Sequence, residues 1–137
     1  MAGTIEPRGK IFVSRRLAPN WVTVAAVTEV ITGLVLITRP SLFGRLLFGA
    51  EFSAAGQALG RLAGFSLLAL AAACWPGVSA QRRSAIRALI VFSLLSAIYL
   101  IYLGVGSRLV GPLLWPAAFL HAALAILLVR GLLGDRP

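Results

Sequence analysis

Four stretches of the chain are apolar for long enough to cross a bilayer, and polar residues fall either between them or at isolated positions inside them. They cover about residues 21–37, 56–75, 85–103 and 113–129, and each, wound as an α-helix at about 1.5 Å per residue, spans roughly the hydrocarbon thickness of a membrane. The breaks carry stop signals. Arg39-Pro40 ends the first run, Trp75-Pro76-Gly77 the second and Gly104 to Arg108 the third, while Pro116 sits where a first helical turn tolerates it. Between the first two runs, Leu42, Phe43, Leu46 and Leu47 recur at helical spacing with Arg45 and Glu51 facing elsewhere. That pattern suits a short helix lying in the membrane interface, or an ordinary loop helix packed on the bundle. The pattern predicts an all-α fold: an integral membrane four-helix bundle with a short interfacial helix between the first and second spans.

The second span carries glycines at 56, 60 and 64 and an arginine at 61. Glycines four apart share a face and let a neighbouring helix approach backbone to backbone, so the other three spans are expected to pack around this one. Gly33 in the first span joins Gly56, Gly60 and Gly64 as an expected packing position. Glu29 is the middle residue of the first span and shares its face with Ala25, Ala26, Thr32 and Gly33. These are small residues, which turns the carboxylate inward. His121 is central in the fourth span, on a face with Ala118, Ala122 and Ala125. The third span offers Ser93 and Ser96 on one side, and Tyr99 and Tyr102 towards its far end.

Ionisable groups at such depth are costly unless paired or wetted, so an intramembrane polar cluster of Glu29, Arg61 and His121 is expected. Thr32, Tyr99, Tyr102 and Trp115 are candidate lining residues for it or for a ligand. Two structural alternatives stand beside a working site. A Glu29–Arg61 pair would fix which helices are neighbours, and Arg61 on its long stem would snorkel to the headgroups.

Composition agrees with the pattern. The 137 residues are 59% hydrophobic and 12% charged, with a mean hydropathy of +0.93, far from the soluble norm of about 25% charged residues. The net charge of +9 would point to nucleic acid in a soluble protein, but here the arginines flank apolar runs, so no nucleic-acid partner is expected. Arg8, Lys10, Arg15, Arg16, Arg82, Arg83, Arg87, Arg130 and Arg136 fall on one side of the four-span topology, against Arg39, Arg45 and Arg108 on the other. Nine basic residues against three put both termini in the cytoplasm of a bacterial inner (plasma) membrane protein. The organisation is then a basic cytoplasmic segment, 1–20, a four-span domain, 21–129, and a cytoplasmic tail, 130–137. The single cysteine, Cys74, permits no internal disulfide, and one histidine cannot supply two axial haem ligands. No G-x-S-x-G elbow or phosphate loop accompanies the serines and glycines. No cofactor is predicted; a quinone or a lipid tail is the ligand class that the aromatics would suit.

The combination of Glu29, Gly33 and Pro40, an interfacial stretch, and Gly60-Arg61 with Gly64 resembles the small four-helix bacterial membrane proteins grouped as DoxX-like, mainly over residues 21–75. The resemblance implies a membrane subunit associated with an oxidoreductase, quinone-linked systems among them. From the residues themselves the expectation is a non-catalytic accessory or interaction subunit, with the bilayer and other membrane subunits or a second copy as partners. A proton-coupled small-solute transporter or channel working through Glu29, Arg61 and His121 is the alternative, and a quinone- or lipid-binding redox subunit is a third.

Overall fold

The computed structural model describes residues 21–75 and 82–134; the basic segment 1–20, part of the second turn and the end of the tail lie outside the described residues. Five helices follow one another: α1 (Trp21–Thr38), α2 (Pro40–Phe48), α3 (Ala54–Ala73), α4 (Arg82–Gly106) and α5 (Leu114–Gly134). All but α2 are long and apolar enough to cross a membrane, which makes the chain an all-α, multi-pass membrane protein in contact with lipid.

Local chemistry sets the helix ends. Pro40 opens α2 with Arg39 as its N-cap, and Gly49 closes it in the left-handed conformation (φ 70°), its N–H donating to the Arg45 carbonyl. Ser53 caps α3, its Oγ accepting from the Gly56 N–H at 3.2 Å. The helix therefore starts at Ala54, two residues before the apolar run. Where the chain leaves α4, the Ser107 hydroxyl donates to the Leu103 carbonyl at 2.8 Å and accepts from the Leu109 N–H at 3.1 Å. The segment that follows docks on α2: the Gly111 and Leu113 amides donate to the Leu47 and Leu46 carbonyls at 3.0 and 2.8 Å. Those carbonyls belong to the last turn of a helix, where they have no partner within it. Gly111 is buried against them, and a β-carbon there would run into the Leu46 carbonyl.

The long helices form two closely packed antiparallel pairs, α1 with α3 and α4 with α5, and α1 joins the pairs by touching both α5 and α4. The central helix is therefore α1, and the expectation that the other spans gather round α3 is corrected: α3 packs chiefly on α1 and α2. The reason lies in the glycines. A β-carbon on Gly33 would sit 2.8 Å from the Gly64 carbonyl oxygen, and one on Gly64 would sit 2.7 Å from the Gly33 carbonyl oxygen. This backbone contact uses up the small face of α3 on one neighbour. Leu59, Leu62 and Phe65, all more than half exposed, leave the rest of its surface suited to lipid. Gly60 is buried beside Leu36, Pro40 and Phe52. Gly56 departs from its expected role, because Phe52 of the α2–α3 connection covers it in place of another span.

Two apolar clusters fill the interior. One joins Ala25, Cys74, Ile86, Leu89, Leu124 and Leu128 near the start of α1 and α4. The other joins Leu100, Leu103, Leu114 and Ala118 at the opposite end, with Leu47 and Phe48 of α2 packed against it. The first cluster is also tied by Cys74, whose Sγ lies 3.5 Å from the Ala85 carbonyl oxygen.

Candidate functional site

Between the two clusters lies a polar layer. The buried residues of α4 run Ile86, Leu89, Ser93, Ala97, Leu100, Leu103, a seam of spacing three and four whose one polar member is Ser93. Glu29 occupies the same kind of position in α1, among Ala25, Ala26, Gly33 and Leu36. In α5, His121 falls in step with the buried Leu114, Ala118, Leu124 and Leu128.

Ala25, Leu89 and Leu124 belong to one packed cluster. From there Glu29 is one turn on along α1 and Ser93 one turn on along α4. His121 is one turn back along α5, which runs the other way. All three steps lead in one direction, towards the middle of the bundle, by about 4.5–6 Å. Glu29 is 1% exposed and Ser93 0%.

Among the described residues, the buried side-chain polar atoms without a hydrogen-bond partner are Glu29 Oε1, Ser93 Oγ and His121 Nδ1. They are the three members of this layer. An unpartnered buried polar group costs about 1–3 kcal/mol, so three of them at one depth form a concentrated departure from an apolar core. Ser93 differs from four hydroxyls on or just after the helices. Thr28, Thr38, Ser66 and Ser107 each donate to the carbonyl four residues earlier, at 2.9, 2.7, 3.1 and 2.8 Å, whereas the Ser93 hydroxyl makes no such bond. The His121 ring is held by the edge of Phe92, with centroids 5.9 Å apart and planes at 76°. A carboxyl, a hydroxyl and an imidazole together can donate, accept and exchange a proton. Among the described residues no group of three or more His, Cys, Asp or Glu side chains is placed to hold a metal.

Other expected site residues lie elsewhere. Arg61 is exposed on α3, one position along from the buried Gly60, and the ion pair among the described residues is Arg45–Glu51, not Glu29–Arg61. Glu29 and His121 thus share a depth in the bundle with Ser93, and Arg61 lies outside that layer. The physical reason is the glycine face: with Gly60 and Gly64 turned to α1, the helical period carries residue 61 round to the outside. Thr32 is partly buried on α1. Tyr99 and Tyr102 are 58% and 68% exposed and so do not line an interior site; aromatics there suit the membrane surface. Trp115 stacks obliquely on Phe119, centroids 6.2 Å apart, and packs over Gly104.

Ser93 was legible as a polar residue but not as a seam position. The signal that marks it is its step of four from Leu89 and from Ala97 along one stripe of α4. No family model, curated protein or solved structure matches the chain.

Proposed function

We propose that this protein is a small membrane subunit, without catalytic chemistry of its own, that holds and exchanges a proton at mid-depth. Glu29 is the exchangeable carboxyl, and His121 and Ser93 are the groups that trade hydrogen bonds with it. The observation that supports this reading is the coincidence, among the described residues, of the three unpartnered buried polar atoms in one layer of the bundle. Residues of this kind inside a membrane are expensive to keep, and proton relays are a recurring reason for keeping them. Apolar clusters bound the layer at both ends, so a second membrane subunit or a second copy would complete any route for the proton. A subunit role also accords with the DoxX-like resemblance. The setting is a bacterial inner membrane with both termini cytoplasmic, on the distribution of basic residues.

The test is infrared difference spectroscopy of the carboxyl stretch across a pH titration of the purified protein. A titrating band absent from Glu29→Gln and displaced in His121→Ala and Ser93→Ala is the expected result. If Glu29→Gln changes thermal stability alone, with no carboxyl band lost, the layer is structural and the proposal fails.

The flank position of α3 favours a partner on that side. Arg61 lies exposed about 10 Å along the helix from Ala54, by rise per residue. A neighbouring subunit with a carboxylate at that depth would meet it, and loss of a co-purifying chain in Arg61→Ala would identify the contact.

A further inference from the structure

The outer surface of the α4/α5 pair carries a feature unrelated to the polar layer. A groove of about 250 Å³ runs between the two helices, lined by Ile90, Leu94, Ala125, Ile126, Val129 and Arg130. Its walls are apolar except at Arg130. On α4, Arg83 and Arg87 continue the stripe of Ile90 and Leu94 at spacings of four and three residues, and both are exposed. Because the helices are antiparallel, with Ile86 packed by Leu128, Arg130 is at the depth of the first turns of α4. Three arginines therefore stand at one end of an apolar trough, and that end is where α4 begins and α5 finishes, at the membrane boundary. From Arg83 to Leu94 the stripe extends roughly 16 Å into the membrane by rise per residue.

We infer that this groove is a binding site for one anionic diacyl phospholipid, its phosphate held by Arg83, Arg87 and Arg130 and one acyl chain lying along Ile90, Leu94, Ile126 and Val129. Charge complementarity selects the occupant. Guanidinium groups pair with phosphate oxygens through parallel hydrogen bonds, and an apolar wall beneath them takes a hydrocarbon chain. A free phosphate would leave the trough unused, and an apolar helix of another copy would leave the three arginines without an anion. The basic end is the one the distribution of basic residues assigns to the cytoplasm, the leaflet whose anionic lipids attract such clusters.

The experiment uses the full chain in detergent, titrated with dioleoyl phosphatidylglycerol, with dioleoyl phosphatidylcholine and with inorganic phosphate, and read by native mass spectrometry. One retained phosphatidylglycerol per chain is expected, with phosphatidylcholine and phosphate much weaker. Each arginine near a membrane surface contributes about a fivefold factor to anionic-lipid affinity, so Arg87→Gln with Arg130→Gln should weaken retention about twenty-five-fold. Val129→Phe fills the trough without touching charge and should abolish retention of the lipid. All these positions are on the outer surface, and an unchanged helical circular dichroism spectrum establishes that the variants fold. Equal retention of the two lipids, undiminished retention in Val129→Phe, or headgroup-independent dimers seated on this face would each overturn the proposal.

Discussion

Replacing Gly64 by alanine tests whether α1 and α3 are held by backbone contact. A β-carbon at Gly64 would sit 2.7 Å from the Gly33 carbonyl oxygen, 2.7 Å from Ile37 Cγ1 and 3.2 Å from the Ile37 amide nitrogen. The isoleucine side chain can turn aside, but the other two atoms belong to a packed helix, so α1 and α3 must separate by several tenths of an ångström. Opening a dense contact by about 0.5–1 Å forfeits about a quarter to a half of the attraction across it, and over-packing costs about 1–3 kcal/mol. Gly60 provides the control. It is one turn away in the same helix, and its β-carbon would meet Leu36, Phe52 and Pro40 side chains at an ordinary 3.5 Å. The gain in helix propensity on going from glycine to alanine, up to about 1 kcal/mol, is common to both positions. The difference between the two variants therefore isolates the collision. Reversible unfolding in mixed micelles should find Gly64→Ala about 1–3 kcal/mol less stable than Gly60→Ala. Gly33→Ala should behave like Gly64→Ala, since its β-carbon meets the Gly64 carbonyl oxygen at 2.8 Å. Equal stability of Gly60→Ala and Gly64→Ala would refute the close approach.

Three further outcomes are expected. Gly111→Ala drives a methyl group into the Leu46 carbonyl and should release the α4–α5 connection from α2, seen as faster hydrogen exchange at the Leu113 amide, which otherwise donates to Leu46. Ser93→Ala removes a buried hydroxyl without a standing hydrogen-bond partner, so its exchange with Glu29 should show in the displaced carboxyl band while unfolding stability changes by less than about 1 kcal/mol; a larger loss would mean a permanent partner in the folded protein. Glu51→Gln breaks the Arg45–Glu51 pair, whose side chains are 65% and 55% exposed, and the same unfolding assay should register less than about 1 kcal/mol.

Fold class was written in the sequence because a membrane allows few solutions. Four apolar runs of the right length, with arginine, proline and glycine at their ends, leave little but a helical bundle. The inward direction of Glu29, and a close-packing role for Gly33 and Gly64, were likewise readable from small residues at helical spacing. The order of neighbours was not. Glycines mark a face for close approach without naming how many helices can use it, and here α1 takes that face on α3. Arg61 shares that ambiguity: pairing a buried acid with the nearest intramembrane base is sound chemistry, but the face of α3 that approaches α1 belongs to Gly60 and Gly64. Ser93 does not stand out in the sequence, because a single hydroxyl in a helix ordinarily satisfies itself on the preceding turn, as Ser66 does, and only the packing tells that it does not.

The central place of α1 ties the packing to the polar layer. Gly33 and Glu29 are four residues apart on one buried stripe of the same helix, so they move together. Gly33 sets how near α1 lies to α3, because the backbone carbonyl oxygens of Gly33 and Gly64 each face the other glycine across the contact and cannot yield. Glu29 sits one turn away, at the depth where α4 and α5 offer Ser93 and His121. A change that pushes α1 off Gly64 therefore shifts the carboxyl relative to the hydroxyl and the imidazole, without altering any of the three groups. On the proposed function, Gly64→Ala should alter the carboxyl stretch of Glu29 as well as lower stability, while Gly60→Ala leaves the stretch unchanged and gains at most the helix propensity of alanine. A band that ignores the Gly64 substitution would separate the helix contact from the proton site and leave the two as independent features of the bundle.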